Sequence, residues 1–164
     1  MIDIAARRSI VVSSRGFSLI ELVVVIALIG AIAAFAWARL GTLFPIYQLE
    51  GAARALALEL AKTRARAIAE NRCFQVVFDT SAKTFQKQSK TGTASCGTTG
   101  FIADSKDGAA RKIDSSGTLT VAATANPVFE TRGSVSTTSA VTLTNTAGAS
   151  RTVNVTSTGR VYVQ

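Results

Sequence analysis

One carboxylate is conspicuous for where it stands. Glu21 follows Phe17-Ser18-Leu19-Ile20, and after it no charge occurs from Leu22 to Ala38, a run of 17 residues. Counted from Phe17 the stretch is 22 residues, about 33 Å as a helix at ~1.5 Å per residue, enough to cross a bilayer. A carboxylate at that depth costs on the order of 2.5–3.5 kcal/mol, so it calls for a cationic partner. A cut between Gly16 and Phe17 would create one: an α-amine four residues before Glu21, with an ordinary pKa near 7.7–8.0 and hence largely protonated at neutral pH. The start of a helix adds unpaired N–H groups and partial positive charge. Glu21 would offset both, within one chain or between packed neighbours. In low dielectric such a pair stabilises when its geometry is good and is costly to break. The chemistry is that of a helix that assembles beside others.

Little else in the chain is equipped for reaction. Histidine is absent, which removes Ser–His and Cys–His catalysis and histidine metal sites together. Two cysteines, Cys73 and Cys96, cannot build a four-cysteine zinc site, and no G-x-x-x-x-G-K-[ST] phosphate loop occurs. The reading is a non-enzyme with no metal and no cofactor. Eighteen basic against ten acidic residues give +8; without residues 1–16 the balance is +6. That charge permits binding to nucleic acid or an anionic surface, and it describes scattered solubilising charge equally well. Aromatic residues make up only 7%, which argues against a stacking platform for single strands.

The elements that place these groups follow in order. Arg7, Arg8 and Arg15 against Asp3 should hold the N-terminal end in the cytoplasm, so everything after Arg39 is expected in the periplasm or an equivalent outside space. Trp37 falls at the interface or packs in an assembled bundle. Gly30 with Ala27, Ala31, Ala33 and Ala34 either permits close helix approach or is simply tolerated. Gly41 and Pro45 are expected to bend or break the rod. From 47 to 70 a helix is predicted, with Leu49, Ala53, Leu56, Leu60 and Ala67 on one apolar face and Glu50–Arg54 as an i,i+4 pair. Arg54, Lys62 and Arg66 line one row, with Arg64 and Arg72 nearby; the row is a solvated face or a stripe that tracks phosphates. After Asn71 the period changes to two. Residues 74–78 and 84–88 read as a hairpin. Further strands are expected near 119–122, 128–130, 141–144, 152–156 and 160–163, with turns at Ala147-Gly148 and Thr158-Gly159. Residues 90–117 read as a loop excursion with one short strand at Phe101-Ile102. On the oxidising side of a membrane Cys73 and Cys96 most simply form one disulfide, two buried thiols being the alternative.

Gly16-Phe17-Ser18-Leu19-Ile20-Glu21-Leu22-Val23 resembles the processing site of the type IV pilin superfamily: a basic leader, Gly, Phe, then Glu as the fifth mature residue. The plainer alternative is a signal anchor with a chance Glu; a secretory signal would carry its small-x-small cleavage site after the apolar core. The resemblance implies that prepilin peptidase cuts between Gly16 and Phe17, that Phe17 is N-methylated, and that Glu21 is the assembly carboxylate. The stretch Val141-Thr142-Leu143-Thr144-Asn145, with Gly148, Arg151-Thr152-Val153, Val155 and Thr158-Gly159-Arg160-Val161, is similar to the end of the GspH/FimT family of minor pilins and pseudopilins. An α+β fold is implied: a long N-terminal transmembrane helix continuing into a small antiparallel sheet-rich domain. The domains would be a leader (1–16), a hydrophobic assembly helix (17–46) and a periplasmic domain (47–164). Implied too are single-pass insertion in the inner membrane and incorporation into a filament with other pilins or pseudopilins. That process would use an inner-membrane platform and a separate ATPase. In the type II secretion version the filament acts as a piston or plug for folded exoproteins; some FimT-like members bind DNA. Arg160 and Arg151 are the candidate DNA contacts, although Gly159-Arg160-Val161-Tyr162 lacks the second Arg of the Gly-Arg-x-Arg ending.

Overall fold

A 51-residue helix, α1 (Leu19–Ala69), leads the computed structural model, in which residues 16–90 and 96–164 are described. The expected leader, up to Arg15, lies outside the described residues. The chain divides into two compact units, Met1–Leu40 and Gly41–Gln164. In the first, the helix carries its apolar residues exposed, from Leu19 through Trp37. In the second, the next turns of the helix bury Leu49, Ala53, Leu56, Leu60 and Ala67, the face that the spacing predicts.

The expected break at Gly41 and Pro45 does not occur; α1 runs through both. Proline removes one backbone bond, the one its own N–H would have made to Gly41. The turns after it are held by burial of Leu49 and Ala53, and the Asn145 side-chain amide donates to the Pro45 carbonyl at 3.4 Å. One missing bond is outweighed by tertiary packing, which supplies most helical stability in proteins. The helix ends where Asn71 adopts a left-handed φ of 47° and the Arg72 N–H reaches back to the Ala67 carbonyl.

Ten strands follow. β1 (Cys73–Asp79) and β2 (Thr84–Lys90) form the expected hairpin, and the Asp79 carboxylate closes its turn by accepting from the Ser81 and Ala82 N–H groups. β3 (Ile102–Ala103) and β4 (Arg111–Lys112) both pair with β2. The excursion therefore contributes two short strands rather than one. β6 (Val128–Phe129) pairs with β1, and β7 (Val135–Thr137), a strand that sequence patterning missed, pairs with β6. A second sheet has the order β10-β9-β8-β5, all antiparallel, from β5 (Thr120–Ala123), β8 (Ser139–Thr144), β9 (Ser150–Val155) and β10 (Val161–Val163).

Alternation decides what each strand buries. Phe74 and Val76 of β1, Phe85 of β2, Val141 and Leu143 of β8, and Val153 and Val155 of β9 join the helix residues in one apolar cluster. Cys73 and Cys96 form the disulfide, with Cα atoms 5.5 Å apart, tying the start of β1 to the excursion. Closing a loop of this size is worth about 3 kcal/mol on the chain-entropy account.

Candidate functional site

At the N-terminal end, Gly16 and Phe17 precede the helix and Glu21 sits in its first turn, where the helix dipole favours an anion. Phe17 is 81% exposed, and Glu21 is exposed as well. Among the described residues Glu21 has no ion-pair partner. Behind it, Leu19–Trp37 is long and apolar enough to cross a membrane. A side chain at Gly30 would meet nothing within 4 Å. This segment shows an unmatched carboxylate at the head of an unpartnered apolar helix.

The basic row on α1 is taken up by carboxylates. Glu50 accepts from Arg54, and Glu59 from Lys62 at 3.1 Å. Arg66 pairs with Asp104 at 2.9 Å and Glu70 at 3.1 Å, with its guanidinium 4.7 Å from the Phe74 ring centre. Arg64 turns to backbone: its Nε donates to the Gly133 carbonyl at 2.8 Å and an Nη to the Thr158 carbonyl at 3.2 Å. Arg72 donates to the Ser89 hydroxyl. These cations serve internal contacts and do not line up as a phosphate stripe.

Sequence reasoning missed a deeply buried cation. Lys87 of β2 is 2% exposed and sits between Glu59 (2.6 Å) and Asp107; Arg111 also reaches Glu59 at 3.3 Å. A signal was present: Lys87 alternates in phase with Phe85, on the inward face. A cation at an inward strand position requires buried carboxylates. These come from the helix and from the excursion, which sequence patterning treats as a solvent loop.

Those pairs make the domain acid-sensitive. Burial pushes the Asp104 carboxyl up, but hydrogen bonds from Arg66 and the Asp107 N–H outweigh it and hold it below its ordinary value. Asp114 is lowered in the same balance, burial being overcome by Ser116 and the Leu119 N–H. For Glu59, burial is overcome by Lys87 and Lys62. A carboxyl depressed on folding contributes stability that is complete above its unfolded pKa, roughly 3.9–4.3, and is lost as pH falls through the folded value. The melting temperature should be flat from pH 7 to 5 and decline below about pH 4. Asp104→Asn combined with Asp114→Asn should shrink that decline; melts at pH 5 and pH 3 that coincide for the unmodified chain would refute the assignment.

The two candidate DNA contacts are not brought together. Arg151 lies on β9 in phase with the buried Val153, so it points to the helix side, where its Nε donates to Glu50 at 2.9 Å. Its partner's carboxyl is lowered by that bond first and by Arg54 second. Arg160 lies on the other face, its guanidinium 5.8 Å from the centre of the exposed Tyr162 ring. Between them the Thr158-Gly159 turn is locked: Gly159 has φ +78°, and a Cβ there would fall 2.0 Å from the Gly133 carbonyl and 2.5 Å from Arg64 Nε. Arg64 thus bridges two glycine turns: a Cβ at Gly159 would overlap its Nε, while one at Gly133 would first meet Ile68 Cδ1 at 2.7 Å.

Residues 52–159, roughly two thirds of the chain, match the family described as type II transport protein GspH. The chain belongs to the GspH family. Residues 12–37 of this GspH-family chain match the prokaryotic N-terminal methylation motif. No curated protein sequence matches. Among solved structures, the minor pseudopilin EpsH from the type 2 secretion system of Vibrio cholerae is similar at TM-score 0.57 and 12% identity, over 71% of this chain and 96% of that one. The type IV minor pilin FimU of Pseudomonas aeruginosa is similar at TM-score 0.54 and 17% identity, over 72% and 89%. These likenesses establish the α+β fold seen in minor pilins and pseudopilins, and the GspH-family chain carries an N-terminal helix long and apolar enough to cross a membrane.

Proposed function

We propose that this chain is a structural subunit of a type II secretion pseudopilus. It is made as a precursor, cut by prepilin peptidase between Gly16 and Phe17, N-methylated on Phe17, and drawn into a filament through its N-terminal helix. The observation that carries this reading is the exposed Glu21 in the first turn of an unpartnered apolar helix, inside a methylation motif. Before assembly the chain is anchored in the inner membrane, N-terminus in the cytoplasm and the residues beyond 46 in the periplasm, where an oxidising environment suits the Cys73–Cys96 bridge. Other pilin-like subunits are its partners. An assembly platform with a separate ATPase supplies energy, since the chain has no phosphate loop of its own.

Intact-mass analysis of the chain from membranes tests the first step. The expected species begins at Phe17 and is heavier by one methyl group; a mature chain still beginning at Met1 would refute the reading. An alternative is a FimT-like minor type IV pilin that binds DNA during uptake. It draws on the exposed Arg160 beside Tyr162, but Arg151, committed to Glu50, gives it no second cation there.

A further inference from the structure

The outward face of the second sheet has an unusual composition. Pairing registers place Thr124, Ala140, Asn154 and Tyr162 in one row across four neighbouring segments: Ala140 opposite Asn154, Asn154 opposite Tyr162, and Thr124 bonded to Ala140 through both N–H groups. The next row holds Ala122, Thr142 and Thr152. All alternate out of phase with the buried Val121, Val141, Val153 and Val155, so they face away from the core. Neither row contains a charge, in a chain with 28 charged side chains among 164 residues; a face kept only for solubility would be expected to carry mixed charge.

Ala140, the smallest side chain of its row, lines a shallow, open depression of about 400 Å³ together with Thr124, Thr138, Asn154, Thr156 and Tyr162. A second depression of about 370 Å³ adjoins it, shares Thr156 and Tyr162, and ends at Arg160. Hydroxyls in and around it are pre-arranged: Thr142 and Thr152 meet at 3.1 Å, Thr156 and Thr158 at 3.0 Å. Thr142, Thr152 and Thr158 keep spare donor or acceptor capacity, whereas the Thr156 hydroxyl is also taken up by the N–H and carbonyl of Arg160. The Asn154 amide and the Tyr162 hydroxyl have no side-chain hydrogen bond among the described residues. Tyr162, 40% exposed with a guanidinium at one side, offers a rigid apolar plane with a polar tip.

We propose that this face binds a saccharide chain. The ligand must exchange hydroxyl and amide hydrogen bonds without charge, and must lay a flat apolar surface on an aromatic ring. A sugar ring does both, since its hydroxyls replace water at neutral groups with little desolvation cost while its C–H face covers Tyr162. A phosphate polymer would need several converging cations, and among the described residues lining the two depressions Arg160 is the one cation. The proposal does not rest on filament assembly.

The test uses the full chain in a detergent without a sugar headgroup, with two probes: the hexamer of N-acetylglucosamine, followed by saturation-transfer NMR, and purified bacterial sacculi, followed by co-sedimentation. Saturable binding is expected to at least one, weakened at least tenfold by Tyr162→Ala and by Asn154→Ala. Ile102→Ala, an exposed change on the other sheet, should leave it unaltered. Circular dichroism melts of the variants establish that each is folded, and two substitutions guard against loss of one. Absence of binding to both probes, or binding untouched by both substitutions, overturns the proposal. So does salt-sensitive retention of a DNA duplex that depends on Arg160 and Tyr162 while neither saccharide probe binds, which would make this a nucleic-acid surface.

Discussion

Glu21→Ala is expected to give a chain that inserts in the membrane and loses its leader but is excluded from the filament. Removing one partner of a buried pair costs about 3–5 kcal/mol because the other charge is left uncompensated; at 1.4 kcal/mol per tenfold, incorporation should fall by roughly two to three and a half orders of magnitude. The uncompensated charge would be the protonated amine of Phe17 or the first N–H groups of a neighbour's helix. Glu21→Gln should fail nearly as badly, since the amide keeps the size and loses the charge. Membrane fractionation against sheared filaments, probed with antibody to the sheet domain, reads both steps. Alanine at this position entering filaments as readily as glutamate would sink the assembly role. Because Glu21 makes no ion pair within the described chain and lies outside the folded unit Gly41–Gln164, thermal stability of that unit should not change, which separates an assembly defect from misfolding.

The second large effect is predicted far from the membrane. Gly159→Ala should destabilise the sheet domain by about 2–5 kcal/mol, combining the cost of a left-handed conformation with overpacking. That corresponds to a fall in melting temperature of roughly 6–25 °C for a domain of this size. Gly148→Ala is the matched control. It sits in the β8–β9 turn at φ +82°, nearly the same backbone as Gly159, yet a Cβ there meets nothing within 4 Å. Only the backbone cost, about 1–2 kcal/mol, should appear at Gly148. Equal losses at the two glycines would mean that the approach of Gly133 and Arg64 to Gly159 is not what the turn protects. Arg64→Ala should then relieve part of the crowding in Gly159→Ala but leave the overlap with the Gly133 carbonyl, so the double variant should recover only partially.

Much of this protein was legible from residue order because it rests on local periodicity. Apolar residues at helical spacing placed Leu49, Ala53, Leu56, Leu60 and Ala67 in the core, and alternation placed Val141, Leu143, Val153 and Val155 there. The 16–23 motif was read directly, since a membrane-spanning helix makes its claim through composition alone. Tertiary structure decided what depends on residues distant in sequence. Pro45 does not stop α1, because the helix beyond it is anchored by a core assembled from the sheets. Arg151 and Arg160, close in sequence, part to opposite faces because strand alternation and the turn at Gly159 set their directions. Lys87 is buried because Glu59, 28 residues before it, and Asp107, 20 residues after it, converge on one ammonium. The bareness of Gly159 is explained by a carbonyl at Gly133 and an arginine on the helix. Periodicity reports which face of an element turns inward; it carries no record of which charges and carbonyls wait on the other side.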